Sequence, residues 1–274
     1  MLIDSHIHFW NYNKIKDAWI TDDMKVLQQN FLPVNLEAII NENGIDGVVA
    51  VQANQSETET FFLKELAKAN PFIKAVIGWV DLRSEAAEER LNYFSQFPII
   101  KGWRHIVQAE PEGFLLDNDF LRGINLLGKY GYTYDILIYP NQLKETLAFI
   151  QQFPHQKFVI DHCAKPLLKT KEIAEWKMWM NEIAAHPYVF CKVSGLLTEA
   201  NWNNWTEADF TAYLDTVFGA FGTHRILFGS DWPVINLAGN YSGWKKIIEN
   251  YLQSFSEEEQ QKVFGGNAQA FYNC

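Results

Sequence analysis

The chain alternates between short apolar runs, rich in β-branched residues, and longer segments in which apolar residues recur every three or four positions. Short apolar runs are typical of strands covered on both faces, and the wider spacing is typical of amphipathic helices. The pattern therefore predicts eight strands with helices between them. The predicted strands cover residues 2–6, 47–52, 74–79, 99–104, 134–138, 157–161, 188–193 and 225–229.

Capping signals support the helices between these strands. Ser56 stands three residues before Glu59, and Ser256 stands three residues before Glu259, so each pair has the spacing of a capping box. Strict alternation of strand and helix implies that neighbouring strands pair in parallel through right-handed crossovers.

Eight strand–helix repeats predict an α/β protein with a closed (β/α)8 architecture, the TIM barrel. The length of 274 residues is close to the usual size of one such barrel. An open doubly wound sheet is the main alternative, but no glycine-rich phosphate loop follows the first predicted strand. No low-complexity linker, internal repeat or composition shift interrupts the chain, so a single domain is expected over residues 1–274.

Charge and composition narrow the range of partners. The net charge of −10 argues against nucleic acid or an anionic membrane as a partner, because phosphate binding needs clustered basic residues. No apolar stretch is long enough for a transmembrane helix, no secretory signal is evident, and the three cysteines suggest no disulfide framework, so a cytoplasmic protein is expected. Aromatic residues make up 15% of the chain, which suggests rings that line a pocket or a subunit contact and leaves a homodimer open.

Candidate catalytic residues stand where three predicted strands end. In a barrel, the carboxyl ends of the strands surround the active site. His6 and His8 are two positions apart and should point to the same side, where two neutral imidazoles could bind a divalent ion. His162 and Asp231 end the sixth and eighth strands and should converge on this pair. An isolated His-x-His pair is more often structural, so it is the combination that favours a reaction centre.

Six segments in order resemble amidohydrolase family two, a group of metal-dependent-hydrolase-like barrels. Their sequences are DSHIHFW, KGWRH, FVIDHCAKP, CKVSGLLTEA, ILFGSDWPV and GNAQAFY. The resemblance runs from the first strand to the last helix. Within the family, KVSGLLTEA, WNNW, FGSDWPV and NAQAFY resemble the sugar-lactone hydrolases of the L-fuconolactonase and L-rhamnonolactonase kind.

The resemblance implies at most one divalent ion, with zinc as the preferred candidate, and it leaves metal-independent catalysis open. Arg104 stands where a carboxylated lysine would be expected after strand four, and strand five ends at Tyr139 without a histidine ligand. A two-metal site is therefore not expected. The implied ligands are His6, His8, His162 and Asp231.

A lactone is a cyclic ester that water can open directly, and the chain has neither a G-x-S-x-G elbow nor an evident Cys–His pair. Asp231 is the expected general base, which takes a proton from water and returns it to the departing ring oxygen. An ion on His6 and His8 would lower the pKa of bound water from about 15.7 to about 7. Without an ion, His162 and Arg104 would stabilise the oxyanion, one such donor being worth about 3–4 kcal/mol.

Substrate contacts are expected from aromatic and polar residues at the strand ends, because sugar-like rings stack on aromatic faces and need hydrogen bonds for their hydroxyl groups. Lys165, in the loop after strand six, could meet an acidic group, but a solvated side chain is the default expectation. Asp161 is expected to point away from the barrel mouth and to be structural. The predicted substrate-binding residues are Trp10, Gln52, Trp79, Tyr139 and Trp232.

The expected function is therefore a hydrolase that opens a sugar-acid lactone. A decarboxylase on the same barrel is the first alternative, and it would require a bound ion. A metal-dependent nuclease is disfavoured by the negative charge and by the missing acidic ligand at strand four. A barrel that only binds would have no need of Asp231 beside a metal-type histidine pair.

Overall fold

A computed structural model describes all residues from 1 to 274. Eight parallel strands lie in one sheet in chain order, each paired with its neighbours in sequence. All eight predicted strands are present, although several are shorter than the apolar runs. The strands are β1 (Ile3–Ile7), β2 (Gly47–Val51), β3 (Ile73–Gly78), β4 (Ile100–His105), β5 (Thr133–Ile136), β6 (Phe158–Ile160), β7 (Val189–Val193) and β8 (Ile226–Phe228).

The first and last strands meet just beyond the end of β8. The backbone N–H of Asp231 donates to the carbonyl oxygen of His6 at 2.9 Å, and the N–H of His8 donates to the carbonyl oxygen of Trp232 at 2.7 Å. These two bonds bring the sheet round on itself. The predicted α/β (β/α)8 TIM barrel is thereby confirmed, with a nearly closed sheet.

Helices follow the strands and cover the outside of the barrel. The hydroxyls of Ser56 and Ser256 accept bonds from the backbone N–H groups of Glu59 and Glu259, as the capping pattern predicts. No helix combines the length and apolar character needed to cross a membrane. The helices are α1 (Pro33–Glu42), α2 (Glu57–Ala69), α3 (Ala87–Phe94), α4 (Asn118–Tyr130), α5 (Leu143–Gln151), α6 (Ala174–Ala184), α7 (Leu196–Glu199), α8 (Ala208–Phe221), α9 (Tyr241–Tyr251), α10 (Glu257–Gln261) and α11 (Asn267–Tyr272).

The lower part of the barrel interior is filled by apolar side chains. Val49, Ile77, Val159 and Leu227 belong to one buried cluster, together with Phe271 and Tyr272 of α11. The last helix therefore packs onto the floor of the barrel, at the end where the strands begin. Above this apolar layer the interior becomes polar, and the functional residues lie there.

Candidate active site

Three donor atoms converge at the mouth of the barrel. The Nε2 atoms of His6 and His8 are 3.2 Å apart. Oδ1 of Asp231 lies 3.3 Å from Nε2 of His8 and 3.9 Å from Nε2 of His6. All three side chains are buried. This geometry agrees with the prediction that His6 and His8 point to the same side. It also agrees with the expected approach of Asp231 from the last strand.

Hydrogen bonding directs Nε2 of His8 towards the site. Its Nδ1 is 2.8 Å from the carbonyl oxygen of Val51, which can only accept, so Nδ1 carries a proton and Nε2 is the nitrogen available to a metal ion. Ligand atoms bound at about 2.0–2.2 Å around a tetrahedral zinc ion lie roughly 3.3–3.5 Å from one another. The spacings among His6, His8 and Asp231 fit such an ion.

His6 is neutral, and its Nε2 already has a partner in the protein. Nη1 of Arg104 lies 3.2 Å from Nε2 of His6. A guanidinium only donates, so Nε2 accepts from Arg104, while Nδ1 lies 3.3 Å from Oδ1 of Asp161 and 3.1 Å from Nζ of Lys192. Burial holds the pKa of His6 well below its ordinary value. Arg104 and a metal ion would therefore compete for the same nitrogen.

His162 reaches the site through an unusual turn after β6. Its backbone is left-handed, with φ 52° and ψ 35°. Nε2 lies 4.0 Å from Oδ1 of Asp231, and Nδ1 lies 2.9 Å from the hydroxyl of Ser194. Burial lowers the pKa of His162 to about 4, so the imidazole is neutral at physiological pH.

The prediction that Asp161 points away from the mouth is wrong. Phe158 and Ile160 pack in the outer core and Val159 packs in the inner cluster, so the next inward position belongs to Asp161. The strand ends at Ile160, and the left-handed turn then directs His162 inward as well. Oδ2 of Asp161 is 3.0 Å from Nη1 of Arg104.

Sequence reasoning missed a buried ion cluster beneath the histidines. Nζ of Lys192 lies 2.5 Å from Oδ2 of Asp135, 3.0 Å from Oδ1 of Asp161 and 3.1 Å from Nδ1 of His6. The hydroxyl of Tyr272, in α11, donates to Oδ2 of Asp135 at 3.0 Å. Lys192 and Asp135 each interrupt an otherwise apolar strand, and that interruption is the signal that could have identified them.

The surroundings of Asp231 keep it ionised. Burial alone would raise the pKa of its carboxyl group, but His162, His8 and His6 outweigh burial and hold that pKa well below its ordinary value. A buried, ionised carboxylate with three imidazole rings around it can accept a proton from water or bind a cation.

A cavity of about 480 Å3 opens above these residues, within the range of about 300–1,000 Å3 typical of small-molecule sites. It is lined by both polar and aromatic side chains, including Trp202. Two charged residues that the sequence did not single out for the site, Lys165 and Glu199, also line it. The predicted site residues on its wall are His8, Arg104, Tyr139, His162 and Asp231.

The other four predicted substrate contacts are not on this wall. The Trp10 indole donates to a backbone carbonyl at 2.9 Å, the Gln52 amide donates to the carbonyl of Arg104 at 3.0 Å, and the Trp79 indole donates to a neighbouring histidine at 3.2 Å. Trp232 is buried edge-on against two phenylalanine rings. The side-chain polar groups of Trp10, Gln52 and Trp79 already have partners within the protein. The role of all four residues in binding substrate therefore stays a prediction without support from the cavity.

The fold and the site together define a barrel in which side chains suited to hold one metal ion lie at the carboxyl ends of the strands. The family model for amidohydrolases matches residues 3–274, and the chain belongs to the amidohydrolase family.

Close relatives are found among bacterial proteins. The chain is 37% identical to an L-fucono-1,5-lactonase of Burkholderia multivorans over 282 residues, which covers 98% of this chain and 95% of that protein. It is 34% identical to an L-fucono-1,5-lactonase of Burkholderia ambifaria, covering 98% and 94% of the two chains. A crystal structure of an amidohydrolase from Burkholderia multivorans with bound zinc superimposes with a TM-score of 0.97 at 36% identity, over 100% of this chain and 99% of that one.

Proposed function

We propose that this protein is a hydrolase that opens sugar-acid lactones by direct attack of water activated by Asp231. The observation that carries the proposal is the ionised Asp231 carboxylate, set beside neutral imidazoles on the wall of a cavity of ligand size. The similarity to two proteins named L-fucono-1,5-lactonase, at 34% and 37% identity over nearly the whole chain, supports a lactone substrate over the decarboxylase alternative.

In the proposed reaction, Asp231 accepts a proton while the water oxygen forms a bond to the lactone carbonyl carbon. Arg104 and His162 lie on the cavity wall, where their N–H groups can donate to the oxyanion that develops. The bond between the carbonyl carbon and the ring oxygen then breaks. Asp231 returns the proton to the departing oxygen, which leaves a hydroxy acid.

A divalent ion is proposed as an optional partner of the site, with zinc as the first candidate. When bound, such an ion supplies Lewis acidity to the carbonyl group and makes water easier to deprotonate. His6, His8 and Asp231 would hold it, because their donor atoms converge, and His162 is a further candidate ligand. The competing contact from Arg104 to His6 supports a site that can also work without an ion.

A cellular location and an assembly state are also proposed. A reducing cytoplasmic location is supported by three free cysteines, two of them fully buried. Assembly as a homodimer is kept on the basis of exposed aromatic side chains such as Trp19 and Tyr188.

The test is an acid-release assay with a pH indicator on a panel of aldonolactones, including the L-fucono- and L-rhamnono- compounds, with and without chelator. We expect acid release from at least one deoxy-sugar lactone. Activity that survives the chelator would support the roles of Arg104 and His162 without a metal. No acid release from any lactone, together with chelator-sensitive release of carbon dioxide from unsaturated or aromatic acids, would overturn the proposal in favour of a decarboxylase.

A further inference from the structure

The turn after β6 places a second functional side chain beside His162. His162, Cys163, Ala164 and Lys165 all have left-handed backbone angles, with φ of 52°, 52°, 57° and 49°. Each such residue costs roughly 1–2 kcal/mol when it is not glycine, and local strain of this kind is concentrated at functional sites. The N–H of Lys165 closes the turn on the carbonyl of His162 at 2.8 Å.

The surrounding packing holds the turn in place. The indole of Trp176 donates to the carbonyl of Cys163 at 2.8 Å. Gly195 lies against the His162 ring, and a Cβ at that position would come within 2.6 Å of Nδ1 of His162. The turn thus presents the side chains of both His162 and Lys165 to the cavity.

Lys165 faces an acidic partner across the cavity, which the sequence left open as an alternative to the default expectation of a solvated side chain. Its Nζ is 3.6 Å from Oε1 of Glu199, at the end of α7, and 5.5 Å from the centre of the Tyr139 ring. The side chains of Lys165 and Glu199 are 18% and 24% exposed. Burial raises the pKa of Glu199, while the charge of Lys165 acts in the opposite direction.

This pair has hydrogen-bonding capacity to spare. The separation of 3.6 Å is longer than a hydrogen bond, and neither side chain is hydrogen-bonded to any other residue of the protein. An ammonium group can donate three bonds, and a carboxylate can accept up to four. Apart from Arg104 and Asp231, which face the reacting bond, Lys165 and Glu199 are the only other Lys, Arg, Asp or Glu residues that line the cavity.

We propose that Lys165 and Glu199 form a subsite for the hydroxyl groups of the lactone and so determine specificity for polyhydroxylated substrates. Neighbouring hydroxyl groups both donate and accept, so an ammonium and a carboxylate side by side complement them. The rings of Tyr139 and Trp202 on the same wall suit the apolar face of a sugar ring. This inference rests on the proposed lactonase function.

The test compares two lactones of the same ring size, L-fucono-1,5-lactone and unsubstituted δ-valerolactone, at enzyme concentrations high enough to follow slow cleavage. The variants are Lys165→Met and Glu199→Gln. Lys171→Met is the matched control, because Lys171 is 76% exposed and does not line the cavity. Thermal melting monitors the fold of each variant.

For each cavity variant we expect the ratio of kcat/KM on the hydroxylated lactone to kcat/KM on the bare lactone to fall about 10- to 100-fold, mainly through KM, because one charge-assisted hydrogen bond is lost. The control should keep the parental ratio. An unchanged ratio in both cavity variants, with a parent enzyme active on the fuconolactone, would overturn this inference alone. A parent inactive on every lactone would instead overturn the proposed function, and the inference would fall with it.

Discussion

Individual hydrogen-bond partners decide what the site residues can do. The carbonyl of Val51 holds Nδ1 of His8, and the guanidinium of Arg104 occupies Nε2 of His6. Both Nε2 atoms lie within 4 Å of Asp231. These partners are backbone or distant side chains, which explains why the sequence identifies the histidines but not their hydrogen bonds.

The contact from Arg104 to His6 should weaken the affinity of the site for zinc. Replacing Arg104 by Met removes both a cation and the hydrogen bond that occupies Nε2 of His6, so zinc should bind at least about 10-fold more tightly. Competition against a fluorescent zinc chelator measures this affinity directly, without reference to catalysis. Arg83→Met is the control, since Arg83 is 49% exposed. Equal zinc affinity in parent and Arg104→Met would show that Arg104 does not compete for this nitrogen.

At the level of secondary-structure elements, the seam between β1 and β8 positions the ligand set. Asp231 and His8 each donate one of the two backbone hydrogen bonds that join β1 to the segment after β8. Oδ1 of Asp4 accepts from the N–H groups of His6 and Ser230, at 3.0 Å and 2.9 Å, and ties the same two segments together. The metal-type ligands are thus held by backbone hydrogen bonds between the end of β1 and the segment that follows β8.

A substitution at Gly229 can test how closely the ends of β1 and β8 pack together. A Cβ at Gly229 would lie 2.9 Å from Cβ of His6 and 3.1 Å from Cβ of Ser194, so Gly229→Ala should displace His6 and lower both kcat and stability, the latter by about 1–3 kcal/mol. Urea unfolding and the acid-release assay measure the two effects. Gly219→Ala, in α8 with open space around the added atom, should be neutral or slightly stabilising. Parental stability in Gly229→Ala would contradict the close packing.

The alternation of side chains along a strand predicts which way a side chain points only as long as the strand continues. It identifies His6 and His8 correctly, because His6 lies within β1 and His8 directly follows it. It fails at β6, where the strand ends at Ile160 and a left-handed turn of non-glycine residues follows. The local sequence does not predict that turn, because its stability depends on packing against Gly195 and Trp176.

At the scale of the whole molecule, a chain of polar contacts runs from the floor of the barrel to its mouth. Tyr272 contacts Asp135, Asp135 pairs with Lys192, and Lys192 contacts both Asp161 and His6. The barrel itself could be predicted from the repeat of strands and helices. This ion layer could not, because it joins residues that are far apart in sequence. The organisation of residues 1–274 as a single domain is kept as a proposal.

Lys192→Met should be strongly destabilising, by about 3–5 kcal/mol, because two buried carboxylates lose their common cation. Adding Asp135→Asn to this variant should restore part of the loss, since Asp161 keeps its pairing with Arg104. Urea unfolding measures both. The exposed Lys246 provides the control, and Lys246→Met should unfold like the parent. A Lys192→Met protein of parental stability would mean that Asp135 and Asp161 do not require this cation.

The decisive measurement is the turnover of L-fucono-1,5-lactone, or of whichever panel lactone the parent prefers, by Asp231→Asn. The substitution keeps the shape of the side chain but removes the base, so kcat should fall about 10²- to 10⁴-fold, with the melting curve of a folded barrel. Retention of more than about a tenth of the parental kcat would remove Asp231 from the mechanism, because a positioned general base contributes more than that.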